Sequence, residues 1–506
     1  MKALNTLLVI FTLGFLLRFL SVYPANTIVG FDQARDFFDA TSIVFDQNLK
    51  IIGPTAGNNP NLHHGVLYLY YILVPLITLG GNPIWAVLWN SLFNAGSCIV
   101  LFFLNKSLFG SIKAGIFAAI IASVSYQFIQ YSGWLSNPTP TIFTVPLFFL
   151  GLWKYYLGKN WGLLLASFAL GLSIEFELFF LYLIPTAILY WLVLKPKLPS
   201  LKLVFSSFLI FCLTTITMIL TEIKFHFAGA FSLLGAGGSV GFGKASIDKT
   251  LPAFLDKMSS TFALNLSPQN LNLGIILGLF TLIFLIYKLL NKKTTLTEKK
   301  AVYFLLLYLC SPVIMLSLGY HNAPWFLIGV PPAIALSTGY ILSKTKLLPS
   351  LVLIVLIVWG NLTANINAFG KPQILLEPDK SSQMSKQLQA IDYTYQSSDH
   401  KEFTINTLTN PLYINAVWAY HYKWYGKNKY GYLPSFSGGD QLHPYDTLPK
   451  TNDKEEFLYL IIDTSPRIPY SYQIFLIEWA NKNSKLLEEK DFDGILVQKR
   501  LLPRPN

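Results

Sequence analysis

The chain has 506 residues, of which 53% are hydrophobic and only 13% are charged, and its formal net charge is +12. Ordinary soluble domains contain about 25% charged residues, and a chain this apolar does not cover its own surface in water. The composition therefore excludes an ordinary soluble enzyme and predicts a polytopic membrane protein. The lysines cluster between apolar segments, which indicates membrane orientation and not nucleic-acid binding.

Apolar segments follow one another through residues 1–369 and predict a mainly α-helical membrane domain of about 11–13 helices. The first segment, 3–22, is interpreted as a retained span, because no suitable small-residue cleavage site follows it. Its Arg18 is expected near the outer end, where the side chain reaches the headgroups. Several segments are shorter than the roughly 20 residues of a simple span, which predicts broken, tilted or re-entrant helices.

Lysine-rich loops orient this domain. The loops at 195–202, 288–300 and 344–346 are predicted to be cytoplasmic. Counting spans from these loops places the N-terminus inside. It places 23–64, 131–137, 222–270 and 319–322 outside. The loops alternate correctly between the two sides only if residues 66–104 cross the membrane once in total. The segment 66–80 is therefore predicted to be short and re-entrant near the outer face.

Residues 370–506 are more polar than the preceding chain and have a different pattern. Alternation at 403–406 and 457–462 predicts two strands, and helical stretches are expected at 380–391 and 471–488. The pattern is typical of a small α/β domain, and the predicted topology makes this domain extracytoplasmic.

The first outer loop, 23–64, is long enough to be either disordered or functional. Part of it has the periodicity of an amphipathic helix, which predicts a juxtamembrane helix lying on the membrane surface. The residues of its apolar stripe are Phe31, Ala34, Phe38, Thr41 and Phe45.

The polar face of the same helix carries Asp32, Asp36 and Asp39, with Arg35 between them. Two acids four positions apart repel one another on a helix, and Arg35 is expected to compensate them. Two interpretations remain open. The face is either simply solvated, or it holds a catalytic carboxylate that accepts a proton from a hydroxyl at the membrane surface.

The other candidate site residues lie where predicted outer loops meet the bilayer. His63 and His64 end the first loop and have the chemistry of phosphate donors or metal ligands. Tyr131, Trp134 and Asn137 belong to or adjoin the second predicted outer loop, 131–137, and also fit a capped turn with aromatic anchors. Glu175, Glu177 and His321 also fit simple exposure near the outer end of the bundle. These further candidates are Tyr131, Trp134, Asn137, Glu175, Glu177 and His321.

The order of these motifs resembles the GT-C superfamily of membrane glycosyltransferases. The resemblance is nearest to the branch of the protein O-mannosyltransferases and the bacterial lipid A aminoarabinose transferase. It rests on segment 30–36, on 63–68, on 134–138, on 171–177 and on 321–324. In that family an aromatic residue precedes two acids, whereas here Phe31 and Asp32 are followed by Gln33.

The resemblance implies inverting transfer of a sugar from a polyprenyl-phosphate donor to an acceptor glycan, lipid or protein, outside a prokaryotic plasma membrane. Asp32 is then the general base, and Arg35, His63 and His64 bind the donor phosphate. Asp36 and the further candidates belong to the substrate site. No cofactor is expected. A divalent metal is possible in the family but is not favoured here, since Gln33 replaces the second acid.

Two other classes of function remain as alternatives. One is a transporter or flippase of lipid-linked saccharides, which would show internal repeats and midplane polar groups. The sequence has no convincing repeat, and its polar candidates lie in the first outer loop. The other alternative is a non-catalytic membrane assembly protein whose polar tail binds partners.

Overall fold

A bundle of helices followed by a small five-stranded sheet forms the described part of the chain. The computed structural model describes residues 2–22, 27–56, 59–235, 247–318, 324–369, 379–451 and 455–503. His321 lies outside these ranges. The bundle and the sheet domain confirm the predicted fold class of a polytopic helical domain with a small C-terminal α/β domain.

The helices of the bundle follow the predicted apolar segments. They are α1 (Lys2–Val22), α2 (Phe31–Phe45), α3 (Leu67–Thr78), α4 (Pro83–Phe109), α5 (Ile112–Val124), α6 (Tyr126–Ser132), α7 (Thr141–Tyr156), α8 (Trp161–Phe176), α9 (Leu183–Leu194), α10 (Leu201–Thr214), α11 (Ile216–Lys224), α12 (Ala228–Gly235), α13 (Ile247–Leu266), α14 (Leu271–Leu290), α15 (Leu296–Cys310), α16 (Pro331–Lys344) and α17 (Leu347–Ala368). Short 3-10 segments lie at Leu178–Tyr182, Ser311–Leu318 and Pro324–Leu327.

The lengths of these helices agree with an integral membrane protein. Among the described residues, α1, α4, α14 and α17 are each long and apolar enough to cross a bilayer. The pairs α5–α6 and α10–α11 are bent by 55° and 70° and bring the number to 6 if each pair is one span. Shorter apolar helices lie at Leu67–Thr78, Trp161–Phe176 and Leu178–Leu194.

The predicted cytoplasmic loops meet at one end of the bundle. Lys154 Nζ donates to Ser107 Oγ over 2.9 Å, which joins the end of α7 to the end of α4. Tyr155 Oη donates to the carbonyl of Lys197 over 2.8 Å and adds the 195–200 loop. The Lys300 ammonium lies 5.3 Å from the ring centroid of Tyr156. The lysine-rich loops therefore share one face, as the charge pattern predicts.

The opposite end of α4 lies beside the C-terminal domain, where Tyr420 Oη donates to the carbonyl of Gly81 over 2.7 Å. Helix α4 has 27 residues and is about 40 Å long, so it extends from one face to the other. Helix α3 has 12 residues and is about 18 Å long, which is too short for a core of about 30 Å. Its last turn precedes Gly81, and it packs on α2, so it stays on the C-terminal-domain side.

Arg18 does not extend to the headgroups, and that prediction was wrong. The side chain is fully buried in the bundle. Its Nε donates to Asn94 Oδ1 over 2.8 Å, its Nη2 to the carbonyl of Ala122 over 2.9 Å and its Nη1 to that of Ser123 over 3.0 Å. Helix α5 ends there, and its last carbonyls have no amide partner within the helix. Arg18 satisfies these carbonyls inside the bundle.

The C-terminal domain contains α18 (Met384–Ser397), β1 (Phe403–Leu408), α19 (Ala416–His421), α20 (Lys427–Tyr430), β2 (Ser435–Phe436), β3 (Phe457–Asp463), α21 (Tyr470–Asn483), β4 (Lys485–Asp491) and β5 (Ile495–Leu501). The strand order is β2-β1-β3-β5-β4. Strand β1 is parallel to both of its neighbours, and β5 is antiparallel to both of its own.

Both predicted strands of this domain are confirmed as parts of β1 and β3. The helix predicted at 471–488 is wrong at its end, because α21 stops at Asn483 and 485–491 form β4. Residues 485–491 form a strand because they pair with β5, although several of them favour helix by themselves. The boundary between residues 369 and 370 adjoins residues outside the described ranges and stays a prediction.

The predicted juxtamembrane helix is α2, and the C-terminal domain covers one side of it. The Tyr420 ring lies 5.0 Å from that of Phe37 and 5.4 Å from that of Phe38 between centroids. Just before α2, the amide of Val29 donates to the carbonyl of Ser382 over 2.8 Å. Helix α2 therefore packs on protein on this side and is held under the C-terminal domain.

Candidate functional site

The first turn of α2 carries the acids that the sequence singles out. The amide of Gly30 donates to Gln33 Oε1 over 3.0 Å, and this contact caps the helix. Gln33 Nε2 donates to the carbonyl of Leu135 over 2.8 Å. Gln33 therefore caps α2 and fixes the start of this helix against the loop at 131–137.

Arg35 lies between two carboxylates of α2. Its Nη1 donates to Asp32 Oδ1 over 2.8 Å, and its Nε and Nη2 donate to Asp36 Oδ1 over 2.9 and 2.8 Å. The side chain of Asp32 is 68% exposed and that of Asp36 only 7%. A guanidinium has five N–H groups, so two remain for another ligand. The two acids therefore have different environments, and Arg35 is oriented between them.

Burial changes the acidity of Asp36. Removal from water raises the pKa of Asp36 to about 6, although the adjacent Arg35 cation opposes this rise. The same carboxylate receives two hydrogen bonds from Arg35, so its main described contact is with this cation. Asp36 therefore orients Arg35.

His64 belongs to a buried polar chain that connects three segments. Its Nδ1 lies 3.1 Å from Glu177 Oε1, close enough for charge pairing although the ring N–H is not aligned on the oxygen. Glu177 Oε2 accepts from Asn137 Nδ2 over 2.8 Å. Burial by itself would lower the pKa of His64, but attraction to Glu177 outweighs it and raises that pKa. The charges of Arg35 and Asp36 also act on this ring.

The structure separates the two adjacent histidines. His63 Nδ1 lies 3.0 Å from the carbonyl of Gly53, and the ring stacks on Phe225 with centroids 5.5 Å apart. His63 therefore fixes the loop before α3, whereas His64 pairs with Glu177. Of the two, His64 has the environment of a cation near the candidate site.

Glu175 is 1% exposed and anchors helices. Its Oε1 accepts from Thr217 Oγ1 over 2.6 Å and from the amide of Met218 over 3.3 Å at the start of α11. A Cβ at Gly65 would lie 2.0 Å from Glu175 Oε2, so the chain entering α3 passes directly against this carboxylate. A negative charge is favourable at such a helix start. These contacts support an anchoring role.

The loop after α6 contributes Trp134 to a cavity, whereas Tyr131 of α6 is buried among the helices of the bundle. Tyr131 is fully buried in α6, with its ring centroid 6.5 Å from that of Trp134. Trp134 lies 5.6 Å from Trp325 between ring centroids. Both tryptophans line a cavity of about 370 Å³ between the bundle and the C-terminal domain, and Asp32 lines it too.

Sequence reasoning assigned Tyr68 no site role of its own. Its hydroxyl is buried and has no hydrogen-bond partner within the described part of the chain. The charges of Asp36 and Arg35 reach this group. A buried hydroxyl without a partner is costly, so it is a candidate donor to a ligand. The signal was the Leu-Tyr pair that follows His63-His64-Gly65 in the family resemblance.

The described residues do not fit a metal site at these acids. No group of three or more His, Cys, Asp or Glu side chains in the described ranges is arranged to hold an ion. The Arg35 guanidinium occupies the position between Asp32 and Asp36 that a bridging cation would need. Metal independence stays a prediction.

The comparisons with known proteins concern the fold. No protein-family model and no curated protein sequence matches the chain. The chain is similar to the crystal structure of apo ArnT from Cupriavidus metallidurans, with a TM-score of 0.63 and 10% identity over 99% of this chain and 98% of that one. ArnT bound to undecaprenyl phosphate is similar too, with a TM-score of 0.61 and 9% identity over 98% and 97% of the chains.

A second similar structure is the archaeal oligosaccharyltransferase AglB from Archaeoglobus fulgidus, in complex with an inhibitory peptide and a dolichol-phosphate. Its TM-score is 0.52 with 11% identity, over 98% of this chain and 74% of AglB. At such identities the similarity concerns the fold, and it confirms the predicted resemblance at that level. The chain has the fold that ArnT and the archaeal oligosaccharyltransferase AglB share.

Proposed function

We propose that this chain is an inverting glycosyltransferase that moves a sugar from a polyprenyl-phosphate donor to an acceptor on the extracytoplasmic side. The observation that carries the proposal is the position of Asp32. It is an exposed carboxylate, oriented by Arg35, on the wall of a cavity between the bundle and the C-terminal domain. Structures of the same fold that hold undecaprenyl phosphate or dolichol phosphate support a polyprenyl-phosphate partner.

Asp32 acts as the general base in this proposal. It takes the proton from an acceptor hydroxyl as the oxygen forms a bond to the anomeric carbon of the donor sugar. The bond between that carbon and the phosphate oxygen breaks, and the polyprenyl phosphate leaves with the electron pair. Attack opposite to the leaving group inverts the anomeric carbon. Asp32 fits this role because water and substrate reach it from the cavity.

The leaving phosphate is assigned to the other side of the first turn of α2. Arg35 has two N–H groups left after binding Asp32 and Asp36, and preorganised donors stabilise developing negative charge. His64 adds a cation whose pKa Glu177 helps to raise against burial. Tyr68 adds a hydroxyl with no other described partner. Asp36 and Glu177 then position Arg35 and His64.

The charge distribution supports an extracytoplasmic site. The lysine-rich loops lie at the end of the bundle away from Gly81 and the C-terminal domain. Such loops normally face the cytoplasm. The candidate site and the C-terminal domain are then on the outer side.

A turnover assay tests the reaction class and the absence of a metal requirement. The full chain in proteoliposomes is given polyprenyl-phosphate hexoses and native membrane lipid extract as acceptor, with and without EDTA. We expect release of polyprenyl phosphate at equal rates in both arms, because Arg35 supplies the cation between the acids. Movement of the intact lipid across the bilayer without release would instead support the flippase alternative. Loss of turnover in EDTA would contradict the metal-free proposal.

Binding of a phosphodiester should weaken as pH rises, because His64 loses its charge. The pKa of His64 is raised above its ordinary value, so the cation is present below that raised pKa and is lost above it. A charged hydrogen bond contributes about 1.5–3 kcal/mol, which corresponds to roughly 10- to 150-fold in affinity. The measurement is the dissociation constant of methyl farnesyl phosphate, a diester with one fixed charge, between pH 6.5 and 9.

His64→Gln should remove most of this pH dependence, and His63→Gln should keep it. His63→Gln is the matched control, since the described contacts of His63 are with Gly53 and Phe225, whereas His64 pairs with Glu177. The window starts above the pKa of about 6 that burial gives Asp36, so titration of Asp36 contributes little. An unchanged profile in His64→Gln would exclude His64 from the phosphate site.

A further inference from the structure

The cavity beside Asp32 is built by both domains of the chain. Its bundle wall comes from the start of α2 and from Trp134 and Trp325. Its opposite wall comes from the C-terminal domain, with Asp379, Asp463 and Arg467. A volume of about 370 Å³ lies in the range of small-molecule sites, which are apolar enclosures with a few placed polar groups.

The polar wall is positioned by the end of a sheet strand. Asp463 is the last residue of β3, and its Oδ1 accepts from the amide of Ser465 over 2.8 Å. Ser465 Oγ in turn accepts from the amide of Arg467 over 3.2 Å. The Arg467 Nε lies 3.7 Å from Asp379 Oδ2. This turn holds the backbone at Asp463 and Arg467, so a carboxylate and a guanidinium line the cavity at the end of β3.

The seam between the domains holds the two walls together. Gln387 Nε2 donates to the carbonyls of Val29 and Ser381 over 2.9 and 2.8 Å. Gln387 Oε1 lies 2.8 Å from His421 Nε2. Burial lowers the pKa of His421 to about 3, so the ring stays neutral and the seam keeps one charge state at physiological pH. These contacts therefore hold the two walls of the cavity against one another.

The chemistry of the walls selects among ligands. The two tryptophans offer flat apolar surface, whereas the carboxylates and Arg467 offer acceptors and donors for hydroxyl groups. Among the described lining residues, the acids Asp32, Asp379 and Asp463 outnumber the cation Arg467, which disfavours an anionic ligand. Among the described lining residues are none of the proposed phosphate-binding groups Arg35, His64 and Tyr68, so the cavity lies on the acceptor side of Asp32.

We propose that this cavity binds an uncharged, hydroxyl-rich sugar unit of the acceptor, with Asp463 and Arg467 as specificity-determining residues. This inference rests on the proposed transfer reaction, in which Asp32 meets the reacting hydroxyl. The tryptophan wall stacks against the apolar face of the sugar ring. The C-terminal domain is thereby part of the substrate site.

Ligand binding to the full chain in lipid nanodiscs tests this site, since maltoside detergents would compete. Saturation-transfer NMR compares methyl glucoside and methyl galactoside with the matched methyl glucuronide and galacturonide. We expect the neutral glycosides to bind at least fivefold more tightly than the uronides. Asp463→Asn and Arg467→Gln should each weaken neutral glycoside binding at least fivefold. Asp440→Asn, an exposed pair with Lys450 outside the cavity, is the control and should bind like the parent.

The outcomes separate this inference from the proposed reaction. Absence of glycoside binding, preference for uronides, or full binding by both Asp463→Asn and Arg467→Gln overturns the sugar site. Asp32→Asn should lose transfer. If Asp32→Asn retains transfer while Asp463→Asn loses binding, the sugar site stands and the proposed base is refuted. If Asp32→Asn is inactive while the cavity variants bind fully, the reaction stands and the sugar site is refuted.

Discussion

Replacing Asp32 by asparagine should lower sugar transfer by roughly 10²- to 10⁴-fold, the usual contribution of a general base. Asparagine keeps the size of the side chain but does not accept the hydroxyl proton. Stability should change little, because the Asp32 carboxylate is 68% exposed and exposed ion pairs contribute about 0–1 kcal/mol. The measurements are the transfer rate in proteoliposomes and the melting temperature of the purified chain.

Asp39→Asn is the matched control for this experiment. Asp39 lies on the same helix, and its ion pair is with Lys50 at 2.8 Å. It should therefore retain transfer. Transfer in Asp32→Asn at the level of Asp39→Asn would show that another group takes the proton.

Replacing Arg35 by glutamine should reduce both transfer and stability, the largest combined effect that we expect. Removing one partner of a buried ion pair costs about 3–5 kcal/mol, because the remaining charge is unpaired. Here that charge is Asp36, whose pKa burial has already raised to about 6. Without Arg35 this pKa rises further above the unfolded value. The stability of Arg35→Gln should therefore be highest at low pH and be lost as pH rises through the pKa of Asp36 in the folded variant.

The double variant Arg35→Gln with Asp36→Asn separates the two effects. It removes both charges, so much of the lost stability should return, while transfer stays low because the phosphate has lost its cation. Melting temperatures at pH 5.5 and pH 8, together with transfer rates, measure both quantities. Recovery of transfer in the double variant would contradict the role of Arg35 at the phosphate.

The segment 23–64 shows which features of the candidate site the sequence predicted. Helical periodicity predicts α2, and spacing places Arg35 between two acids, as the structure has them. The same spacing treats Asp32 and Asp36 alike. Only packing makes one of them buried and the other exposed, because α3 and the C-terminal domain cover one side of the helix and leave the other at the cavity. The division of the acids into the proposed base, Asp32, and the orienting group, Asp36, was therefore beyond the pattern.

The cavity residues show the opposite case. Asp463 and Arg467 stand in the C-terminal part of the chain, more than 400 positions after Asp32, and no local pattern links them. Strand β3 and the turn after it bring them to the same cavity. Likewise, Arg18 looks like an interfacial residue by position. The break at the end of α5, whose carbonyls need donors, holds it inside the bundle instead.

The sequence by itself determined the membrane class and the sharing of one face by the lysine-rich loops, because partition between water and lipid depends on contiguous residues. Tertiary structure alone decided which carboxylate is exposed, which histidine pairs with Glu177 and which distant residues complete the cavity. These properties depend on desolvation and on contacts between segments far apart in the chain. A linear pattern does not specify such contacts.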